Sequence, residues 1–263
     1  LYAQLMEQPR TREGNFWHKQ IYPGQVWLDG LYMAQPFYVE YEKRYNGKKN
    51  YGDSLRQFRN VESLARNRDT GLYYHAYDSS RQMFWCDQET GLSANFWLRA
   101  LGWFAMSLVD VMELLDETED AEFYSTISRI FRDLIDALLR HQHPCGMWYQ
   151  VVDRGDDERN YLETSGSSII SYAILKAVLK GILSPDYATH GKRAFWGVCD
   201  KHLYRGQDGT MNLGGTVLVG GLGGAEMRDG SFDYYISEPV VENEAKGIAP
   251  FLLAYIHLKQ LGV

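Results

Sequence analysis

The stretch at residues 95–115, NFWLRALGWFAMSLVDVMELL, contains few polar side chains over a length that suits one helix. Its apolar residues fall on every side of a helix rather than along one face, which is typical of a helix buried all round. Residues 120–142 differ, because Ile127, Ile130 and Leu134 lie along a single face. Further helices are predicted over residues 26–45, 51–66, 164–180, 185–203 and 244–260. The sequence therefore predicts a mostly α protein.

Glycines recur along the chain at a similar spacing. Four of them lie near the starts of the buried helices and are 72, 64 and 81 residues apart, namely Gly30, Gly102, Gly166 and Gly247. Three other glycines lie in short non-helical segments of similar sequence, at 70–75, 145–150 and 208–212. They are Gly71, Gly146 and Gly209, which are 75 and 63 residues apart. Two interleaved series of this kind indicate an internal repeat. The repeating unit is a buried helix, an outer helix and a short turn or strand.

A helical hairpin cannot cover its own apolar face, so such units stack linearly or close into a ring. Inner helices that are buried all round favour a closed α/α toroid. We expect inner helices to start near Trp27, Trp97, Ser165 and Glu244, and outer helices near Asp53, Asp120 and Asp186. The 263 residues hold fewer than four units of about 70 residues each, so we expect upstream hairpins to be lacking from this sequence. Residues 1–263 are interpreted as one domain.

Composition excludes several function classes. A formal net charge of −7 leaves no dominant cationic surface, so we expect no nucleic-acid partner. No apolar run approaches the roughly 20 residues that cross a bilayer, so we expect no membrane partner. Three widely spaced cysteines support neither a disulfide framework nor a zinc ribbon, and the simplest interpretation is a reducing, cytoplasmic location. Aromatic residues reach 14%, which suits a carbohydrate-sized cleft.

Asp29 and Arg99 are the charged residues whose surroundings point to chemistry. Asp29 falls in the first turn of a helix, where it either caps free N–H groups or, half-buried among aromatic residues, has a raised pKa and acts as a proton donor. Arg99 falls in an apolar helix between Trp97 and Trp103, where it pairs either with a structural carboxylate or with a ligand carboxylate. His75 fits a turn, a core hydrogen bond or an acid/base role.

Other motifs do not indicate a site. The glycine-rich residues 214–224 lack the G-K-[ST] of a phosphate-binding loop and are interpreted as a flexible loop. No H-E-x-x-H motif, Cys/His cluster or closely spaced carboxylate set proposes a metal. We therefore expect neither a metal nor another cofactor.

Six segments spread along nearly the whole chain carry distinctive wording in a fixed order and spacing. They are WLDGLYM at 27–33, YH at 74–75, NFWLRALGW at 95–103, WYQVVD at 148–153, YLETSGS at 161–167 and YYISEPVVEN at 234–243. In order, spacing and sequence these segments resemble the unsaturated rhamnogalacturonyl hydrolases of glycoside hydrolase family 105.

The resemblance implies an (α/α)6 barrel that hydrolyses oligosaccharides with a 4,5-unsaturated uronic acid at the non-reducing end. One Asp protonates C4 of the double bond and assists water at C5, and by its motif this residue is Asp29. The residues that match substrate-binding positions are His18, Trp27, His75, Trp97, Arg99 and Trp103. Family members carry further residues upstream, including a second active-site Asp that has no matching position here.

Two other function classes stay open. One is a truncated, noncatalytic carbohydrate-binding remnant with an open barrel. The other is a different α/α-barrel sugar enzyme, such as an epimerase or an unsaturated glucuronyl hydrolase acting on other lyase products. The sugar next to the uronate and the oligomeric state are left open by the sequence.

Overall fold

The computed structural model describes residues 1–262, and helices account for most of its regular structure. The seven long helices follow the predicted bounds closely, and two short helices were not predicted. The helices are Tyr2–Met6 (α1), Leu28–Tyr45 (α2), Tyr51–Ala65 (α3), Leu98–Leu114 (α4), Ala121–Leu139 (α5), Thr164–Leu179 (α6), Ala188–His202 (α7), Phe232–Ser237 (α8) and Ala245–Gln260 (α9), with a 3₁₀ turn at Pro185–Tyr187. The mostly α class is confirmed.

The long helices form two layers. In the inner layer α2 packs on α4, α4 on α6 and α6 on α9, in chain order. In the outer layer α3, α5 and α7 pack against α2, α4 and α6 respectively. Nearly every residue of α6 is buried, whereas α5 buries one face and exposes the other. The predicted assignment of inner and outer helices is therefore confirmed, and the described residues hold four inner and three outer helices.

Three antiparallel strand pairs lie at the ends of the helices. They join Gln25–Trp27 (β1) to Ala76–Asp78 (β2), Leu203–Arg205 (β3) to Met211–Leu213 (β4), and Thr216–Val217 (β5) to Val240–Val241 (β6). The strand β1 runs directly into α2, and β2 follows directly on His75. This pairing places the first turn of α2 beside His75.

The predicted repeat is visible in the backbone hydrogen bonds. The first residue of α2, α4 and α6 donates its N–H to the segment that follows the next outer helix. Leu28 donates to the His75 carbonyl at 3.0 Å, Leu98 to that of Gln150 at 3.0 Å, and Thr164 to that of Gly215 at 2.9 Å. Each unit is thus fastened to the next at the same end of the helices.

Close packing between inner helices depends on glycine. A Cβ atom at Gly166, in the first turn of α6, would collide with the side chain of Leu98 at the start of α4. The two helix starts approach each other because position 166 has no side chain.

In the described part of the chain, no helix combines the length and hydropathy needed to cross a bilayer.

Candidate active site

Asp29 and His75 meet at the N-terminal end of α2. The Asp29 Oδ2 atom lies 3.1 Å from Nε2 of His75. His75 is fully buried, and 14% of the Asp29 side chain is exposed. Helix α2 begins without a side-chain cap, so Asp29 is held by His75 rather than by capping its helix. One edge of the carboxylate is left open to a ligand.

The sequence left open whether the pKa of Asp29 is raised by burial among aromatic residues. Burial raises the pKa of the Asp29 carboxyl, but His75, whose Nε2 faces the carboxylate within hydrogen-bonding distance, and the nearby His18 outweigh that effect. The pKa of Asp29 is therefore lowered from its ordinary value. The sequence could not decide this, because it did not reveal that His75 faces the carboxylate.

Tyr235 completes a chain of three side chains. Its hydroxyl lies 2.7 Å from Nδ1 of His75, the ring nitrogen that faces away from Asp29. Tyr235 is fully buried in α8, and burial raises the pKa of its hydroxyl well above the ordinary range. The phenol therefore stays protonated. Asp29, His75 and Tyr235 form one continuous hydrogen-bonded series.

Trp97 packs against both His75 and Tyr235. Its ring packs 4.7 Å from the His75 ring, and the ring of Tyr235 stacks on it at 5.8 Å. The indole N–H donates to Oε1 of Gln150 at 3.2 Å, and Gln150 Nε2 donates to the backbone carbonyl of Tyr235 at 3.1 Å. Only 1% of Trp97 is exposed. In this structure Trp97 stands behind His75 rather than on the open surface of the pocket.

Arg99 also lies over the Trp97 ring. Its guanidinium carbon is 4.9 Å from the centre of the Trp97 ring, and the residue is 2% exposed. Arg99 Nη1 donates to Oγ of Ser165 at 3.2 Å and to the carbonyl of Val217 at 2.5 Å. Within residues 1–262 no carboxylate lies within 4.0 Å of this guanidinium. A buried cation held only by neutral oxygens is suited to an anionic ligand.

His18 and Trp27 form an aromatic wall near Asp29. Their rings stack 4.2 Å apart, and Tyr22 stacks on Trp27 at 5.2 Å. Burial, opposed by Asp29, lowers the pKa of His18 to about 4, so His18 is neutral near pH 7. This wall borders a cavity of about 320 Å³ whose lining includes Trp17 and Gly30.

Trp103 lies one helical turn after Arg99 on α4. It is half-buried and stacks on Tyr32 of α2, with ring centres 4.9 Å apart. The structure thus brings His18, Trp27, Asp29 and His75 together at one end of α2, and Arg99 joins them through Trp97. Trp103 lies further along the inner face of α4.

The glycine-rich segment 214–224 is part of the site, which sequence analysis did not predict. Residues 216–217 form β5 rather than a loop. A side chain at Gly220 would collide with the indole ring of Trp97, and one at Gly221 would meet Trp27 at 3.6 Å. The glycines let this backbone lie directly on the aromatic rings, so the segment acts as a packed wall.

Sequence analysis also missed Tyr235, Gln150 and Ser165 as site residues. Each lies within a segment that carries the family resemblance, which is the signal that could have found them. Tyr235 is 160 residues from His75 in the chain, so only the fold reveals their contact. Over the described range 1–262, no group of three or more His, Cys, Asp or Glu side chains is arranged to hold a metal ion.

The sequence pattern of Glycosyl Hydrolase Family 88 matches residues 1–261. The chain belongs to this family. It is a glycoside hydrolase by that membership. Protein Atu3128 of Agrobacterium fabrum is 38% identical over 231 residues, which cover 85% of this chain and 97% of that protein. The unsaturated rhamnogalacturonyl hydrolase YesR of Bacillus subtilis is 32% identical over 178 residues, covering 66% of this chain and 48% of YesR. The match thus spans about half the length of YesR.

Solved structures agree with the family assignment. A family 105 glycoside hydrolase from C. acetobutylicum is 44% identical with a TM-score of 0.94, covering 98% of this chain and 72% of that one. The unsaturated glucuronyl hydrolase of Bacillus sp. GL1 shares the fold, with a TM-score of 0.65 at 15% identity over 98% of this chain and 66% of that one. Such structures are (α/α)6 barrels, so the predicted fold class and the resemblance to family 105 are confirmed.

Proposed function

We propose that this family 88 chain hydrolyses oligosaccharides that carry a 4,5-unsaturated uronic acid at the non-reducing end, in the rhamnogalacturonan disaccharide class. The observation that carries the proposal is the buried Arg99, which has no acidic partner among the described residues and lies over the ring that also supports His75. A uronate carboxylate is the kind of anion that a planar guanidinium binds through two hydrogen bonds. YesR, whose name states this activity, supports the same substrate class.

Asp29 is the residue proposed to move the proton. Its side chain is 14% exposed, while His75 holds the carboxylate at Oδ2. The proton adds to C4 of the substrate double bond, and the oxygen of a water molecule adds to C5. The water returns its own proton to Asp29, so that the carboxyl group is regenerated. The hemiketal formed at C5 opens and the neighbouring sugar leaves, with one water molecule consumed overall.

The lowered pKa of the free Asp29 carboxyl is compatible with this role. A bound uronate would exclude water from the carboxyl group and bring a second negative charge close to it, and both effects raise the pKa of a carboxyl. Arg99 offsets part of that charge. Substrate binding itself would therefore prepare Asp29 to carry a proton.

A panel of unsaturated disaccharides tests the proposal. Turnover removes the conjugated double bond, so loss of its ultraviolet absorbance measures hydration directly. We expect the highest kcat/KM on the rhamnose-containing disaccharide. A preference for glycosaminoglycan disaccharides would assign the chain to the glucuronyl hydrolases. Binding of these sugars without any turnover would instead support a noncatalytic remnant.

A further inference from the structure

Tyr235 contacts His75 at the ring nitrogen that faces away from Asp29. Its hydroxyl is fully buried and lies 2.7 Å from Nδ1 of His75. Among the described residues, that nitrogen is its one hydrogen-bond partner. A buried hydroxyl proton without an acceptor is costly, so the Tyr235 O–H points at Nδ1.

This direction fixes the protons of His75. A nitrogen that accepts a hydrogen bond carries no proton, so the proton of the neutral ring resides on Nε2. The Nε2–H group then donates to Oδ2 of Asp29, 3.1 Å away. A charged imidazolium would turn Nδ1 into a donor and leave the Tyr235 proton without a partner.

We propose that Tyr235 is a positioning residue that keeps His75 neutral with its proton on Nε2, so that His75 donates to Asp29 throughout the reaction and never accepts the Asp29 proton. If His75 adopted the opposite tautomer, its bare Nε2 atom would compete with the substrate for that proton. The kinetic part of this inference rests on the proposed function, whereas the tautomer itself does not.

Tyr235 is rigid enough to act in this way. Its backbone carbonyl accepts from Gln150, whose side chain also accepts from Trp97. Helix α8 begins with a side-chain cap from Ser231 to the Tyr234 amide. The phenol ring stacks on Trp97 at 5.8 Å. Both ends of the residue are therefore held, and the hydroxyl has little freedom to leave Nδ1.

The ionisable groups around the pair are few. His18 faces Asp29 from the segment before β1, and Arg99 approaches from α4 across Trp97. Tyr234 and Asp229 act on Tyr235 from its own segment, and both raise its pKa. None of these groups donates to or accepts from either ring nitrogen of His75. The tautomer therefore depends on Asp29 and Tyr235 alone.

Nitrogen NMR of protein labelled with ¹⁵N-histidine tests the tautomer without any activity. A His75→Gln variant identifies the His75 signals among those of the 7 histidines. At neutral pH we expect a protonated Nε2 and an unprotonated, hydrogen-bonded Nδ1. In Tyr235→Phe the Nδ1 signal should move to that of a free nitrogen or to a tautomer average. Tyr234→Phe, one residue away, should leave the His75 signals in place. An imidazolium in the unmodified protein, or unchanged signals in Tyr235→Phe, would overturn the proposal.

Kinetics supply the second arm. Tyr235→Phe should lower kcat about tenfold, the equivalent of one hydrogen bond, while KM changes less than about twofold. In a His75→Gln background, where residue 75 has no tautomer to choose, the same change should have no further effect. Equal losses in both backgrounds would show a merely structural role and reject the proposal. Circular dichroism and thermal melting confirm that each variant is folded. Absence of turnover in the unmodified protein would reject the proposed function but leave the NMR result decisive for the tautomer.

Discussion

Arg99 and Glu163 are both buried and carry opposite charges, yet they are joined through shared partners rather than by an ion pair. The Oε1 atom of Glu163 accepts from Oγ of Ser165 at 2.7 Å and from the Val217 amide at 3.1 Å. Arg99 donates to the same Ser165 hydroxyl and to the carbonyl of the same Val217. Glu163 therefore orients the acceptors that hold Arg99 without neutralising the guanidinium at close range. The cation is thus held in place without a carboxylate partner within 4.0 Å among the described residues.

Replacing Arg99 by Ala should weaken substrate binding more than it slows turnover. The substrate carboxylate would lose a charge-assisted hydrogen bond, which is worth about 1.5–3 kcal/mol, or roughly ten- to a hundredfold in KM. Arg99→Lys keeps the charge but loses the planar guanidinium. Its KM should therefore lie between that of the unmodified protein and that of Arg99→Ala. Steady-state kinetics on the unsaturated disaccharide measures both constants. A drop in kcat at constant KM would contradict this role.

The sequence predicted the helices well because their information is local. The helix at 98–114 has apolar residues on all its sides, and the helix at 121–139 has them along one face. Burying both patterns requires a two-layer arrangement of helices. The repeat spacing then ordered the inner helices. The sequence also placed Asp29 in the first turn of a helix, because that depends on residues close to Asp29 in the chain.

The electrostatics of the site could not be predicted in the same way. The pKa of Asp29 depends on His75, 46 residues away, and the tautomer of His75 depends on Tyr235, 160 residues away. The glycines near residue 220 suggested flexibility, whereas their contact with Trp97 depends on how α4 is placed. Interactions of this kind become visible only when the fold has brought distant segments together.

His18 should make stability depend on pH. Its pKa is about 4 in the folded protein, compared with about 6.5 in an unfolded chain. Between these values the unfolded state binds more protons, so the free energy of unfolding falls as pH decreases from 6.5 towards 4. Urea denaturation at pH 7 and pH 4.5 should show a loss about 2 kcal/mol larger for the unmodified protein than for His18→Gln. Equal losses in the two proteins would be inconsistent with a neutral His18.

Gly220→Ala should disturb the wall of the site. The new methyl group would collide with Trp97, and overpacking of this kind typically costs 1–3 kcal/mol. We expect a lower melting temperature together with reduced activity, since Trp97 supports His75. Gly52→Ala is the matched control, because a Cβ atom there meets nothing within 4 Å and position 52 lies inside α3. That variant should gain up to about 1 kcal/mol from helix propensity. A neutral Gly220→Ala would refute the close packing.

Catalysis should not require a metal ion. Proton transfer from a carboxyl group is sufficient to hydrate an activated vinyl ether. Extended dialysis against a chelator should leave the initial rate unchanged, with a known metalloenzyme treated in parallel as the control for removal. A loss of activity that a divalent cation restores would show that the mechanism is incomplete.

The central claim is that Asp29 carries the proton, and the turnover of Asp29→Asn tests it most directly. Asn keeps the shape of the side chain and removes the acidic proton. Positioned acid/base catalysis contributes about 10²–10⁴-fold per group, so kcat should fall at least that far while the variant still binds the disaccharide. Circular dichroism should show an unchanged fold, because Asn is nearly as good as Asp at a helix start. Near-normal turnover by a folded Asp29→Asn variant would contradict the account and assign the chemistry to another acid.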